Sequence, residues 1–103
     1  MSEPPELEAE WLARELAEPA AHFGVEADSQ CWEALAWLTR AMLAWSRRIN
    51  LTGARDAREL VRSHVADALA LVPDLADVRG GLLDVGSGGG LPGLVVAVLR
   101  PDL

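Results

Sequence analysis

The sequence predicts an α/β chain in two unequal parts. A helical region occupies residues 1–79, and residue 80 begins the first β-loop-α unit of a nucleotide-binding type of fold whose remaining strands are missing. Three observations carry this reading. Apolar residues recur at helical spacing through most of residues 6–72; the short run Leu82–Val85 passes directly into the glycine loop Gly86-Ser87-Gly88-Gly89-Gly90; and that loop opens a second apolar helical stretch ending at Leu99.

Taken in order, residues 6–18 read as a short amphipathic helix with Leu7, Trp11 and Leu16 on one side, stopped by Pro19. Asp28 or Ser29 then offers an N-cap for a longer helix in which Trp32, Leu35, Met42, Trp45 and Ile49 recur at helical spacing. That spacing places the four tryptophans in the core; exposed rings would instead suit base stacking. Asn50–Arg55 is a connector. Asp56 with Glu59 makes a capping box for a third helix reaching Val72, with Leu60, Val61, His64, Ala68 and Leu71 inward, and Pro73 ends it. A polar turn with Gly80 and Gly81 leads to a strand, Leu82–Val85, then the loop, then a helix from Gly93 to Leu99.

Composition narrows the function classes. At 103 residues and 50% hydrophobic, the chain has one domain's worth of core or less, and losing a structural layer would leave it marginal. Its one cysteine, Cys31, cannot form an internal disulfide, and with only His22 and His64 it makes no recognisable zinc site. The glutamate-rich N-terminus is not a secretory leader, and no apolar run approaches membrane-spanning length, so a cytoplasmic setting is expected. Net charge is −7, unevenly spread: nine acids against Arg14 in residues 1–38, but six arginines against Asp56 and Glu59 in residues 39–64. Arg40, Arg47, Arg48, Arg55, Arg58 and Arg62 form either a phosphate-contacting patch or a solvated helix face.

Three ligands compete for the glycine loop. A P-loop needs a lysine, and the chain has none. Gly88, Gly90 and Gly93 satisfy the dinucleotide pattern G-x-G-x-x-G, but Pro92 falls where the helix should already be running. The stretch Asp84–Gly90 also reads D-x-G-x-G-x-G, the first motif of class I S-adenosylmethionine-dependent methyltransferases. A sulfonium cofactor wants close backbone approach, which the glycines permit, and a carboxylate near the strand end, which Asp84 supplies. An aspartate in an apolar strand is costly without a partner; the plainer alternative is a strand-end aspartate that caps a turn.

The match goes further than that motif. Gly86-Ser87-Gly88-Gly89-Gly90-Leu91-Pro92-Gly93, followed by Arg100-Pro101-Asp102, resembles the bacterial 16S ribosomal RNA guanine-N7 methyltransferase family known as RsmG or GidB. Trp45-Ser46-Arg47-Arg48-Ile49-Asn50-Leu51-Thr52 is similar to its W-N-x-x-x-N-L-T segment, and His64-Val65-Ala66-Asp67 to its H-x-x-D-S segment, with Ser46 and Ala68 departing from the usual asparagine and serine. The resemblance covers roughly residues 30–103.

The resemblance implies a Rossmann-like class I fold, here truncated to its N-terminal half, with residues 80–103 starting the cofactor domain. It implies that Gly86 and Leu91 line the S-adenosylmethionine site, with Asp84, Gly88 and Gly90 shaping it, and that Asn50 and His64 face cofactor or RNA; Arg47 and Arg48 of the basic island are the further candidates for RNA contact. The partner would be 16S ribosomal RNA or the small ribosomal subunit, with no metal and no membrane. His64 also reads as a hydrogen-bonded core residue, and Asn50 as a turn residue. No acid or base is nominated, because guanine N7 carries no proton at neutral pH. With the later strands absent, the isolated chain is expected to be weak or inactive. The competing reading is a non-catalytic helical module that docks Arg40–Arg62 on RNA or an acidic protein.

Overall fold

A computed structural model describes residues 5–49, 56–84 and 91–103, with Arg47 and Ile49 described by backbone position alone. Six α-helices occur among the described residues: α1 (Ala9–Glu15), α2 (Ala17–His22), α3 (Ser29–Ile49), α4 (Ala57–Glu59), α5 (Ala66–Leu69) and α6 (Gly93–Leu99). A π-helical stretch, Leu60–Val65, joins α4 to α5, and a 3-10 turn, Val72–Leu75, follows.

Pro19 does not end the first helix as expected. It is the third residue of α2, where an amide has no intrahelical acceptor, so its missing N–H costs nothing. The break falls earlier, at Leu16 (φ −101°, ψ 4°), because a proline ring clashes with the carbonyl four residues back, here that of Glu15, the last residue of α1. Before α1, Leu7 adopts φ +64° with its side chain buried. Arg40 Nη1 donates to the Leu7 carbonyl at 2.9 Å, fixing a backbone turn that a bulky residue rarely makes.

At the start of α3, Asp28 Oδ1 accepts from the Cys31 amide at 2.8 Å, the expected cap. The buried stripe of this helix is Leu35, Ala36, Thr39, Met42, Leu43 and Ser46, with Thr39 fully buried. Thr39 fits because its hydroxyl lies 2.9 Å from the Leu35 carbonyl and 3.0 Å from that of Ala36. Tryptophan placement corrects the expectation: Trp11 is 3% exposed and Trp32 partly buried, but Trp37 and Trp45 are 66% and 55% exposed. At about 100° per residue, the centre of the buried face runs through Thr39 and Ser46, and Trp45 lies well round from it.

Asp56 caps α4 as expected, its Oδ1 accepting from the Glu59 amide at 2.8 Å. Wider turns through Leu60–Val65 bring Leu60, Val61, Val65, Ala68 and Leu69 inward. His64 and Leu71, expected inward, are only half-buried at the margin of this core. The helix then tightens through bonds from Ala70 to Asp67 and Leu71 to Ala68, both 3.2 Å, before Pro73 enters the 3-10 turn.

The C-terminal segment returns to the helices rather than starting a sheet. Val95 and Val96 of α6 are buried against α3 and α5, and Cys31 Sγ lies 3.9 Å from the Val98 carbonyl. Residues 82–84 of the expected strand take no regular structure, and Val85 lies outside the described residues. No strand occurs among the described residues, in keeping with the physical definition of one: without a neighbouring strand, a β-segment has no ladder to join.

Candidate functional site

Asp84 and α6 are built around each other. Asp84 Oδ2 accepts from the Gly93 amide at 2.9 Å, satisfying one of the donors that a helix N-terminus leaves open. A Cβ at Gly93 would sit 2.6 Å from that oxygen and 3.2 Å from Asp84 Cβ, so the glycine is required by close approach. Among the described residues no donor reaches Asp84 Oδ1. The carboxylate therefore satisfies an open amide at the start of α6.

Beside this contact, His64, Asp67, Ala68, Leu71, Leu91 and Pro92 line a cavity of about 380 Å³. Two blocks more than twenty residues apart in sequence meet there: the π-helical stretch and α5 bring His64 and Asp67, and the turn before α6 brings Leu91 and the cis Leu91–Pro92 bond. One wall is apolar and the other carries an imidazole and a carboxylate. The expected cofactor residues Gly86, Gly88 and Gly90, and the expected RNA-side Asn50, lie outside the described residues, as does the side chain of Arg47.

Arg48 is exposed and does not line the cavity; its guanidinium carbon sits 5.9 Å from the centroid of the Trp45 ring. Three arginines of the basic island, though exposed, answer acidic side chains of the N-terminal part. Arg58 and Arg62 both pair with Glu15, at 3.2 and 2.9 Å, and Arg40 approaches Glu8 at 4.0 Å. These arginines tie the acidic N-terminal helices to the rest of the molecule, a role that neither reading of the island anticipated.

Arg100 and Asp102 form a second polar device. The guanidinium donates to both Asp102 oxygens, at 2.8 and 2.6 Å, and to the carbonyls of Leu75 and Val78, at 2.6 and 2.9 Å. The Arg100 hydrogen bonds hold the Asp102 carboxyl down at about 2, and Asp102 in turn raises the guanidinium. Elsewhere, the Cys31 amide bond lowers Asp28, and burial pushes the Cys31 thiol up. Sequence reasoning missed the Arg100 clamp and the cavity role of Leu71 and Pro92; the short Arg100-Pro101-Asp102 turn was the available signal for the clamp. Among the described residues, no group of three or more His, Cys, Asp or Glu side chains is placed to hold a metal, and no helix is long and apolar enough to cross a membrane.

Comparison with known proteins gives this arrangement its context. The chain is 38% identical over 90 residues to the ribosomal RNA small subunit methyltransferase G of Ectopseudomonas mendocina (strain ymp), covering 87% of this chain and 42% of that protein. It is 36% identical over 96 residues to the protein of the same name from Stutzerimonas stutzeri (strain A1501), covering 93% and 45%. With the Leptothrix cholodnii (strain SP-6) protein of that name the identity is 47% over 79 residues, covering 73% and 36%. The chain thus spans less than half the length of these relatives. No solved structure matches it significantly. Residues 32–103 match the family described as rRNA small subunit methyltransferase G, and this match takes in all but the first three residues of α3, the cavity, the Asp84–Gly93 contact and the Arg100 clamp. The chain belongs to the GidB family of ribosomal RNA small subunit methyltransferases.

Proposed function

We propose that these residues form part of an enzyme that transfers a methyl group from S-adenosylmethionine to N7 of a guanine in 16S ribosomal RNA, acting in the cytoplasm on that RNA or on the small ribosomal subunit. The observation that carries the reading is the cavity shared by His64, Asp67 and Leu91, which joins two separate sequence blocks in a chain of this family. The cofactor's chemistry fits the residues present. Leu91 offers an apolar wall, and the Asp84 carboxylate, whose Oδ2 holds α6, offers negative charge to a cationic group. Gly86, Gly88 and Gly90 complete the cofactor side; His64, Asn50, Arg47 and Arg48 are assigned to the RNA side.

When bound, the cofactor supplies a methyl group activated by its sulfonium. Guanine N7 presents an unprotonated in-plane lone pair, so no side chain has to remove a proton. The chain's own residues act by placement: the cavity walls set the position of the reacting partners, and pre-paid orientation carries the rate. Residues 80–103 form the beginning of the cofactor domain, and the 103-residue chain by itself transfers methyl groups weakly or not at all.

The alternative, a helical module docking through its arginines, is disfavoured because Arg40, Arg58 and Arg62 already answer Glu8 and Glu15. A chimaera in which this chain replaces the matched segment of the E. mendocina relative tests the reading. It should bind S-adenosylmethionine by calorimetry and methylate 16S RNA from a strain lacking the modification, detected by strand cleavage specific to N7-methylguanine. Asp84→Asn and Leu91→Asp should each weaken cofactor binding about tenfold or more, the order expected when one charge-assisted contact or one apolar wall is lost. Methylation of protein or a small molecule, with the RNA untouched, would remove the substrate assignment.

A further inference from the structure

His64 and Asp67 stand at i and i+3 where the π-helical stretch runs into α5, so their side chains share one helical face. Asp67 is exposed and His64 half-buried, and both line the cavity of about 380 Å³. Facing them are the half-buried Leu71, Leu91 and Pro92. A slot with apolar walls and polar groups gathered on one rim takes a flat molecule with apolar faces and a polar edge, and its volume lies at the small end of ligand sites, about 300–1,000 Å³. A nucleobase is such a molecule.

The two side chains also select among bases. A carboxylate only accepts hydrogen bonds, whereas an imidazole N–H donates one. Side by side they present one donor and two acceptors, the complement of the Watson–Crick edge of guanine, which runs acceptor, donor, donor from O6 through N1–H to N2–H. Adenine would set its N1 lone pair against the carboxylate, cytosine would set N3 there, and uracil has a single N–H between two carbonyls. Guanine alone offers two adjacent donors, which one carboxylate accepts in parallel. On the purine ring O6 lies between N1 and N7, so a base held by this edge leaves the N7 lone pair uncontacted.

We propose that Asp67 recognises the target guanine by accepting from N1–H and N2–H, with His64 donating to O6, in the slot walled by Leu71, Leu91 and Pro92. This assignment rests on the methyl-transfer reading and adds to it a residue that sets base specificity. The rate is affected as well. As the N7 lone pair forms its bond to the methyl carbon, the S–C bond breaks and its electron pair stays on sulfur; no proton moves, and the unit positive charge passes from sulfur to the purine ring. That charge makes N1–H and N2–H stronger donors, so their bonds to Asp67 are tighter in the transition state than before it. The cofactor's cation is the poorer occupant, because the Asp84 carboxylate at the start of α6 is assigned to it and a cation gives the His64 donor no acceptor.

Nucleotide binding to the 103-residue chain reads this contact without turnover. Guanosine 5′-monophosphate, followed by NMR, should shift the amides of residues 64, 67 and 91 and bind about tenfold more tightly than inosine 5′-monophosphate, which lacks only the N2 amine, with adenosine 5′-monophosphate weaker still. Asp67→Asn should erase the preference for guanosine over inosine, and Asp67→Glu should restore part of it. Absent or equal binding of the three nucleotides, or a preference that survives Asp67→Asn, overturns the proposal. In the chimaera with the E. mendocina relative, Asp67→Asn should slow methylation of 16S RNA by about 10- to 100-fold, with kcat falling as well as KM rising. Binding of S-adenosylmethionine by calorimetry should be unchanged and Tm should move by no more than about 1–2 °C, as for an exposed side chain. A loss of cofactor affinity or of Tm large enough to account for the slower rate also overturns the proposal, since Asp67 would then hold the cofactor or the fold. Parent-like methylation by Asp67→Asn removes the guanine contact and leaves the proposed function standing. A parent chimaera that methylates protein or a small molecule removes the proposed function, and the comparison of guanosine with inosine still decides the Asp67 contact.

Discussion

Gly93→Ala isolates the contact on which the candidate site is built. The new Cβ would meet Asp84 Oδ2 at 2.6 Å and Asp84 Cβ at 3.2 Å, so the aspartate must swing away and release the Gly93 amide. A hydrogen bond to a charged acceptor contributes about 1.5–3 kcal/mol, and alanine returns up to about 1 kcal/mol of helix propensity. Asp84 is half-buried and lies in a segment that makes no backbone hydrogen bond among the described residues, so it moves at little cost and the lower end of the range applies. The net loss in global stability is then about 1 kcal/mol. The local effect is larger: amide exchange at residue 93 should quicken by about tenfold or more, since 1.4 kcal/mol corresponds to a factor of ten. Exchange read by NMR at residues 93–96, with urea melts of parent, Asp84→Ala, Gly93→Ala and the double variant, gives both numbers. The double variant should be scarcely worse than either single one, because both remove the same bond. Strictly additive losses, or a Gly93→Ala protein more stable than the parent with its amide still protected, would refute the claim that Asp84 holds α6.

Asp102, held at about 2 against an ordinary 3.8, contributes stability that is present above the unfolded value and lost as pH falls from about 4 through 2. The urea midpoint of the parent should fall more steeply across that window than that of Asp102→Asn. Glu15, its side chain only 11% exposed, serves both Arg58 and Arg62, themselves 47% and 62% exposed. Solvent screening on the arginine side limits the loss in Glu15→Ala to about 1 kcal/mol, measured by urea melts, and Glu15→Gln should lose less. Thr39→Val replaces a buried hydroxyl whose acceptors are helix carbonyls; its cost should stay below about 1.5 kcal/mol in the same assay, whereas Thr39→Asp should prevent folding.

Helix starts were the most legible features because their cause is local. Asp28 and Asp56 each cap an amide three residues on, and the sequence pattern is the mechanism itself. The extent of α6 from Gly93 to Leu99 was readable for the same reason, an apolar stretch bounded by glycine before and proline after. Trp37 and Trp45 misled because hydrophobicity reports that a residue needs cover without saying which layer provides it. Thr39 was passed over because a pattern of apolar letters cannot register a hydroxyl that bonds to its own helix. The strand at 82–85 depended on partners elsewhere, and no local rule supplies them. At the site, Asp84 and Leu91 were legible from the glycine loop, but their tertiary contacts were not: the Asp84 bond to Gly93 spans nine residues, and the meeting of Leu91 with His64 and Asp67 spans more than twenty.

The Asp84–Gly93 hydrogen bond also closes a ring. Its two ends are nine residues apart in sequence, and one carboxylate and one amide fix where residues 84 and 93 stand relative to each other. The bond makes the position of Asp84 and the unwinding of the first turn of α6 reciprocal quantities: whatever draws Asp84 Oδ2 away loosens the helix, and whatever frays the helix frees the carboxylate.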